Sequence, residues 1–190
     1  MTDRDRLKAL LVERSVRLGE FTLASGARSS YYIDARVTTM SAEGQARIGK
    51  VAWEALDAHG LAPTHVGGLT MGADPVAYAI ARESFTRATP VDGFSVRKEA
   101  KAHGMGLQIE GGLPREARCL VVEDSMTTGG SALRAIDAVR SHGAEVVGIL
   151  TLVDREEGGA EAIAEHDLPL VALYSGPELL EAARASVEEA

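Results

Sequence analysis

Residues 119–122, Cys-Leu-Val-Val, are apolar at every position and run into Glu123-Asp124, then Ser-Met-Thr-Thr-Gly-Gly-Ser131. A strand apolar on both faces must be covered on both faces. That places it centrally in a parallel sheet with helices on either side. Its surroundings fit. Strands are expected at HVGGL (65–69), VDGFSV (91–96), EVVGILTLVD (145–154) and LVALY (170–174). Between and after them, helices are expected over about 75–87, 131–142, 157–165 and from Pro177 onward. Such alternation implies an α/β class, a parallel sheet flanked by helices and joined by right-handed crossovers, with ligands at the carboxyl ends of the strands.

The first forty residues read differently. Leu7, Leu10, Leu11 and Leu18 fall at mostly helical spacing over 4–18, with Asp3 as cap. FTLASGARSSYYID (21–34) reads as a hairpin or short strands turned by Ser25-Gly26. Ser41 caps a helix to about His59 whose inner side is Ile48, Val51, Ala52 and Leu56. Residues 97–114 have no periodicity, many charges, and Gly104, Gly106, Gly111 and Gly112. A structureless loop of that length inside a compact domain is functional or mobile. The 190 residues suit one domain.

Composition narrows the function. Twenty Lys and Arg against 28 Asp and Glu give a net charge of −8, which repels nucleic acid phosphates. The single cysteine, Cys119, allows no internal disulfide and fits a reducing, cytoplasmic setting. No membrane span or apolar signal core is visible. His59, His65, His142 and His166 lack metal-ligand spacing, and G-x-S-x-G is absent. Cys119, in an apolar strand, reads as an inert thiol.

The chemistry gathers at the end of 119–131. Gly129 and Gly130 allow a tight turn with inward N–H groups, a nest for a phosphate. Thr127, Thr128 and Ser131 add hydroxyl donors, and the following helix adds its positive end. No lysine follows the glycines, so this is not a P-loop, and no G-x-G-x-x-G fingerprint follows a strand. Glu123 and Asp124 would repel a bare phosphate. They make sense beside a ligand with both a phosphate and vicinal hydroxyls, and could help hold a divalent cation.

Val121–Ser131 resembles the signature of phosphoribosyltransferases that bind phosphoribosyl pyrophosphate (PRPP). Phe94-Ser-Val-Arg-Lys-Glu-Ala-Lys-Ala-His-Gly104 resembles the mobile catalytic loop of the orotate phosphoribosyltransferases. Phe21–Gly26 with Ser30–Asp34 resembles that family's N-terminal substrate-side segment, although Ala24 stands where some members have lysine. Val153-Asp-Arg-Glu156 resembles the strand end that supplies an orotate-contacting arginine, and Gly67–Pro75 the pyrophosphate-side loop.

The resemblance implies a single phosphoribosyltransferase domain over 1–190. A small N-terminal hood covers about 1–40, the α/β core 41–175, and the mobile catalytic loop 97–114. It implies that Ser125, Met126, Thr127, Thr128, Gly129, Gly130 and Ser131 hold the PRPP 5-phosphate while Glu123 and Asp124 face the ribose. Arg97, Lys98, Lys101 and His103 then bind the pyrophosphate, and Lys101, Arg97, His103 and Asp124 form the catalytic group. Thr127 and Arg155 meet orotate. Mg²⁺ is the expected cofactor, held mainly by PRPP with no direct protein ligand assigned. A homodimer sharing the Arg97 loop across subunits is also implied. The rival expectations are transfer to another base, or a regulator that senses PRPP on the same fold.

Overall fold

A capping box on Thr2 starts the first helix of the computed structural model, which describes residues 1–22, 28–99 and 108–188. Thr2 Oγ1 accepts the Asp5 N–H at 3.1 Å, and the Asp5 carboxylate accepts the Thr2 N–H at 2.9 Å. Asp3, the expected cap, is instead the first residue of α1 (Asp3–Ser15). The helix also ends early. Val16 enters β1 (Val16–Thr22), antiparallel to β2 (Arg28–Ile33) with Val16 opposite Ile33. This hairpin matches the expectation for 21–34, and its turn at 25–26 lies outside the described residues.

A one-turn helix α2 (Arg36–Thr39), unforeseen in the sequence, precedes α3 (Ala42–Ala58). Ser41 Oγ accepts the Gly44 N–H at 3.1 Å, so Ser41 caps α3 as expected. Then follow β3 (His65–Leu69), α4 (Ala73–Thr86), β4 (Asp92–Val96), β5 (Ile109–Glu110) and β6 (Arg118–Met126). The chain continues through α5 (Gly130–His142), β7 (Glu145–Asp154), α6 (Gly159–Ala164), β8 (Leu170–Ser175) and α7 (Gly176–Glu188).

The main sheet has the order β5-β4-β3-β6-β7-β8, with β3, β4, β6, β7 and β8 parallel. Only β5, at the edge, runs antiparallel, pairing Ser95 with Glu110. Side chains alternate along a strand, so β6 feeds two cores. Leu120 and Val122 pack with Ile48, Val51, Trp53, Leu56, Val76 and Ile80 from α3 and α4. Cys119 and Val121 pack with Ala135, Ile136 and Val139 of α5 on the other face. Burial pushes the Cys119 thiol up to about 12, which keeps it protonated and unreactive.

The chain leaves β3 toward β4 on one side, while β6 leads to β7 and β8 on the other. Between β3 and β6 lies the switch point where open α/β sheets bind ligands. No described helix is long and apolar enough to cross a membrane.

Candidate active site

A cavity of about 320 Å³ opens at that switch point. Its floor is Val122 to Ser125 at the end of β6, and one wall is Leu69 to Ala73, the turn from β3 into α4. Tyr32, Ile33, Asp34, Ala35 and Arg36 form the opposite wall, with Lys98 and Ser131 at its margins. Two strand ends, a helix start and the N-terminal hairpin thus converge on one space.

β6 is longer than the apolar run suggests. Glu123, Asp124 and Ser125 stay in the ladder because β7 pairs with them, Ser125 opposite Val153. The acid pair is thereby held on a strand instead of a loop. Glu123 Oε2 is buried and has no hydrogen-bond partner. Burial, then the neighbouring Asp124 charge, pushes its carboxyl up to about 7, while a hydrogen bond with Ser131 pulls the other way. Burial raises Asp124 as well, opposed chiefly by hydrogen bonds from backbone N–H groups and by the Arg36 charge. The Asp124 carboxylate lies against the turn of the facing wall, where a Cβ on Gly72 would sit 2.3 Å from Asp124 Oδ1. Gly72 is what allows the acid and the turn to approach.

Past Met126 the chain makes the turn expected to hold a phosphate. Thr127 and Thr128 are exposed, and Gly129 takes φ +77° as the N-cap of α5. No side chain caps this helix. The free N–H groups of its first turn therefore suit an anion. The expected start at Ser131 moves one residue earlier, to Gly130, and Ser131 lines the cleft. The Met126 side chain is fully buried in the second core, so the turn offers only the backbone of this residue. Its carbonyl accepts the Arg155 N–H at 2.8 Å.

Arg97 sits at the end of β4, where its N–H donates to the Gln108 carbonyl at 2.8 Å and its Nη1 lies 3.4 Å from Glu110 Oε1. These bonds, with β5, bring together the two arms of the loop expected over 97–114. Lys101 and His103 lie outside the described residues. Arg155 immediately follows β7 and is only 8% exposed. Its guanidinium lies 4.9 Å from the Tyr31 ring centroid, with Nη2 3.1 Å from Glu157 Oε1. It does not line the cavity. It sits beneath the β2 hairpin, next to the wall that Tyr32 forms.

Sequence reasoning missed Arg36 and the carboxylate of Asp74. Arg36 grips Asp34 through Nε at 2.9 Å and Nη2 at 3.2 Å, which lowers the Asp34 carboxyl below its usual range and leaves a cation facing Asp124. The i, i+2 spacing of Asp34 and Arg36 was its only signal in the sequence. Among the described residues no three His, Cys, Asp or Glu side chains form a metal cluster.

Residues 40–167 match the phosphoribosyl transferase domain. The orotate phosphoribosyltransferase of Aquifex aeolicus is 45% identical over 183 residues, covering 95% of this chain and 99% of that protein. The crystal structure of Mycobacterium tuberculosis orotate phosphoribosyltransferase with Fe(III) dicitrate superposes with a TM-score of 0.84 at 44% identity, covering 94% of this chain and 99% of that one. A structure of the same enzyme with 5-phospho-α-D-ribosyl 1-diphosphate gives 0.78 at 40% identity over the same shares. The switch-point cleft, its buried acid pair and this kinship along nearly the whole chain agree: the chain belongs to the phosphoribosyltransferases, within the orotate phosphoribosyltransferase family.

Proposed function

We propose that this chain transfers ribose 5-phosphate from PRPP to N1 of orotate, giving orotidine 5′-monophosphate and diphosphate, a step of pyrimidine (UMP) synthesis. The observation that carries the choice of acceptor is the 45% identity to an orotate phosphoribosyltransferase over 95% of the chain. The phosphate site alone would suit other bases equally.

In this reading the 5-phosphate sits on the uncapped start of α5, with the backbone from Ser125 to Gly130 and the hydroxyls of Thr127, Thr128 and Ser131. Glu123 and Asp124 accept hydrogen bonds from the ribose hydroxyls, which satisfies the Glu123 oxygen that has no partner. Arg97, Lys98, Lys101 and His103 cluster on the diphosphate and stabilise the charge it gains on leaving. Thr127 and Arg155 orient orotate, the arginine through its carboxylate. No covalent nucleophile is required, since positioning and charge stabilisation suffice.

Mg²⁺ is the cofactor of this reading. Oxygen-rich carboxylate surroundings with one unpartnered oxygen fit an ion that binds through one or two carboxylates, water and substrate phosphates. When bound, it neutralises diphosphate charge. PRPP would supply most of its ligands, with Glu123 and Asp124 nearby and no direct protein ligand assigned. A homodimer completes the proposal. Met71, Tyr78 and Phe85, 58%, 52% and 79% exposed on the turn and outer face of α4, offer apolar surface to a second copy whose Arg97 loop would be shared. A cytoplasmic setting accords with the lone thiol at Cys119.

The test is loss of orotate absorbance on adding PRPP with Mg²⁺, beside a metal-free control. Metal-dependent loss with orotidine monophosphate as product is expected. Absence of turnover by a protein that still binds PRPP would refute the acceptor and favour another base or a sensing role.

A further inference from the structure

Asp74, in the first turn of α4, accepts hydroxyl hydrogen bonds on both carboxylate oxygens, and the two donors come from different segments. Thr70 Oγ1 donates to Oδ2 at 2.9 Å, and Ser95 Oγ donates to Oδ1 at 2.7 Å. Thr70 opens the turn that walls the cleft and presses Gly72 against Asp124. Ser95 belongs to β4, two residues before Arg97. The Thr70 N–H also donates to the Val96 carbonyl at 2.8 Å, and Tyr78 Oη lies 3.2 Å from Ser95 Oγ. One side chain therefore fastens the cleft-side turn to the root of the 97–114 loop.

A helix-start carboxylate needs no such partners. An acid in the first turn already complements the helix dipole while exposed to water. Here the oxygens are committed to two neighbouring hydroxyls, and ionised acceptors make the stronger and more directional hydrogen bonds. Both segments flank the space above Asp124, so a small relaxation at either would alter their separation. Misplacement of such groups carries a large rate penalty even when they are far from the reacting bond.

We propose that Asp74 is a positioning residue that sets the 70–72 turn and the root of the 97–114 loop as one unit around the diphosphate. This rests on the reading that those two segments flank the diphosphate of PRPP. Steady-state kinetics in both substrates, with calorimetric binding of inorganic pyrophosphate in the presence of Mg²⁺, test it on the full chain. For Asp74→Asn, kcat/KM for PRPP and pyrophosphate affinity should each fall by about tenfold, the scale of one lost charge-assisted hydrogen bond. The KM for orotate should change by less than about twofold, a split that a general structural defect would not produce. Thr70→Val and Ser95→Ala should each reproduce part of the loss, and their double variant should show less than the sum of the two. A lowered melting temperature with unchanged kinetic constants would make Asp74 a helix-start residue only, and strictly additive single variants would remove the shared tie. Either result overturns the proposal while leaving the orotate reaction standing. Wild-type protein that binds pyrophosphate but does not consume orotate overturns the acceptor alone, and wild-type protein that binds neither PRPP nor pyrophosphate overturns both.

Discussion

Glu123 should make the free protein less stable as the pH rises toward neutrality, and replacing it should remove that slope. Its folded carboxyl stands at about 7 against an ordinary 4.5, burial being the main cause and the Asp124 charge the second. A raised acid holds its proton in the folded state where the unfolded chain releases it. The stabilisation is complete below pH 4.5, is lost as the pH climbs from there through about 7, and stays lost above. The gap is roughly two and a half pH units at about 1.4 kcal/mol each, so the linked stability change is about 3 kcal/mol.

Glu123→Gln preserves the shape of the side chain and abolishes the titration. Urea unfolding of both proteins from pH 4.5 to 8, in chelator and without substrate, measures the difference. Wild type should lose about 3 kcal/mol more than the variant across that window, at equal dependence on denaturant. In melting temperature this is about 6–12 °C for a chain of this size. Asp124 shifts in the same direction, so both proteins retain a residual slope. Parallel stability curves would refute the reasoning, because a carboxyl that titrates at its ordinary value is not held in a low-dielectric site.

Three further outcomes follow from the structure. Gly67→Ala should cost about 3 kcal/mol in chemical denaturation, since its Cβ would stand 2.1 Å from the Phe94 carbonyl oxygen on the neighbouring strand; a loss within 0.5 kcal/mol or so would mean that β3 and β4 can separate. Arg155→Ala should raise the KM for orotate by about ten- to a hundredfold with the KM for PRPP nearly unchanged, as expected for losing a hydrogen bond to a charged group; equal effects on both substrates would remove the arginine from the base site. Lys101→Ala should lower kcat by about a hundredfold at an unaltered melting temperature, and turnover near the wild-type level would remove this lysine from the catalytic group.

The strands were legible because short apolar runs alternate with helical stretches, and only a sheet covered on both faces can bury Cys119 to Val122. Elements defined by pairing alone were not. β5 has two residues and exists because Ser95 and Val96 supply partners across the sheet edge. α2 has a single turn and no periodicity to read. The capping box was a misreading of another kind. Asp3 and Thr2 are both good caps, and only the reciprocal bond to Asp5 decides between them. The site divides in the same way. Glu123 to Ser131 could be read directly because a strand end, a glycine turn and a helix start are contiguous. Asp34 with Arg36, and Thr70 with Asp74 and Ser95, converge only once the chain has folded.

The features that cost this fold stability are also those that select its ligand. α5 begins without a side-chain cap, and one oxygen of Glu123 is buried without a partner. The Glu123 oxygen is unfavourable in the free protein, since a buried polar group lacking a hydrogen bond forfeits its hydration, and the helix start leaves its amides to water. A bare phosphate would answer the helix start, yet it would meet two carboxyls raised by burial and standing side by side. A neutral sugar would answer the carboxyls and leave the helix amides open. Only a ligand carrying an anionic group a few bonds from vicinal hydroxyls resolves both at once, and ribose 5-phosphate has that pattern. Natural proteins break local rules at functional sites and offset the cost elsewhere, here through the two apolar cores that clamp β6. On the proposed reading, selection of a phosphorylated ribose follows from the conflict between neighbouring groups, and no single contact specifies it.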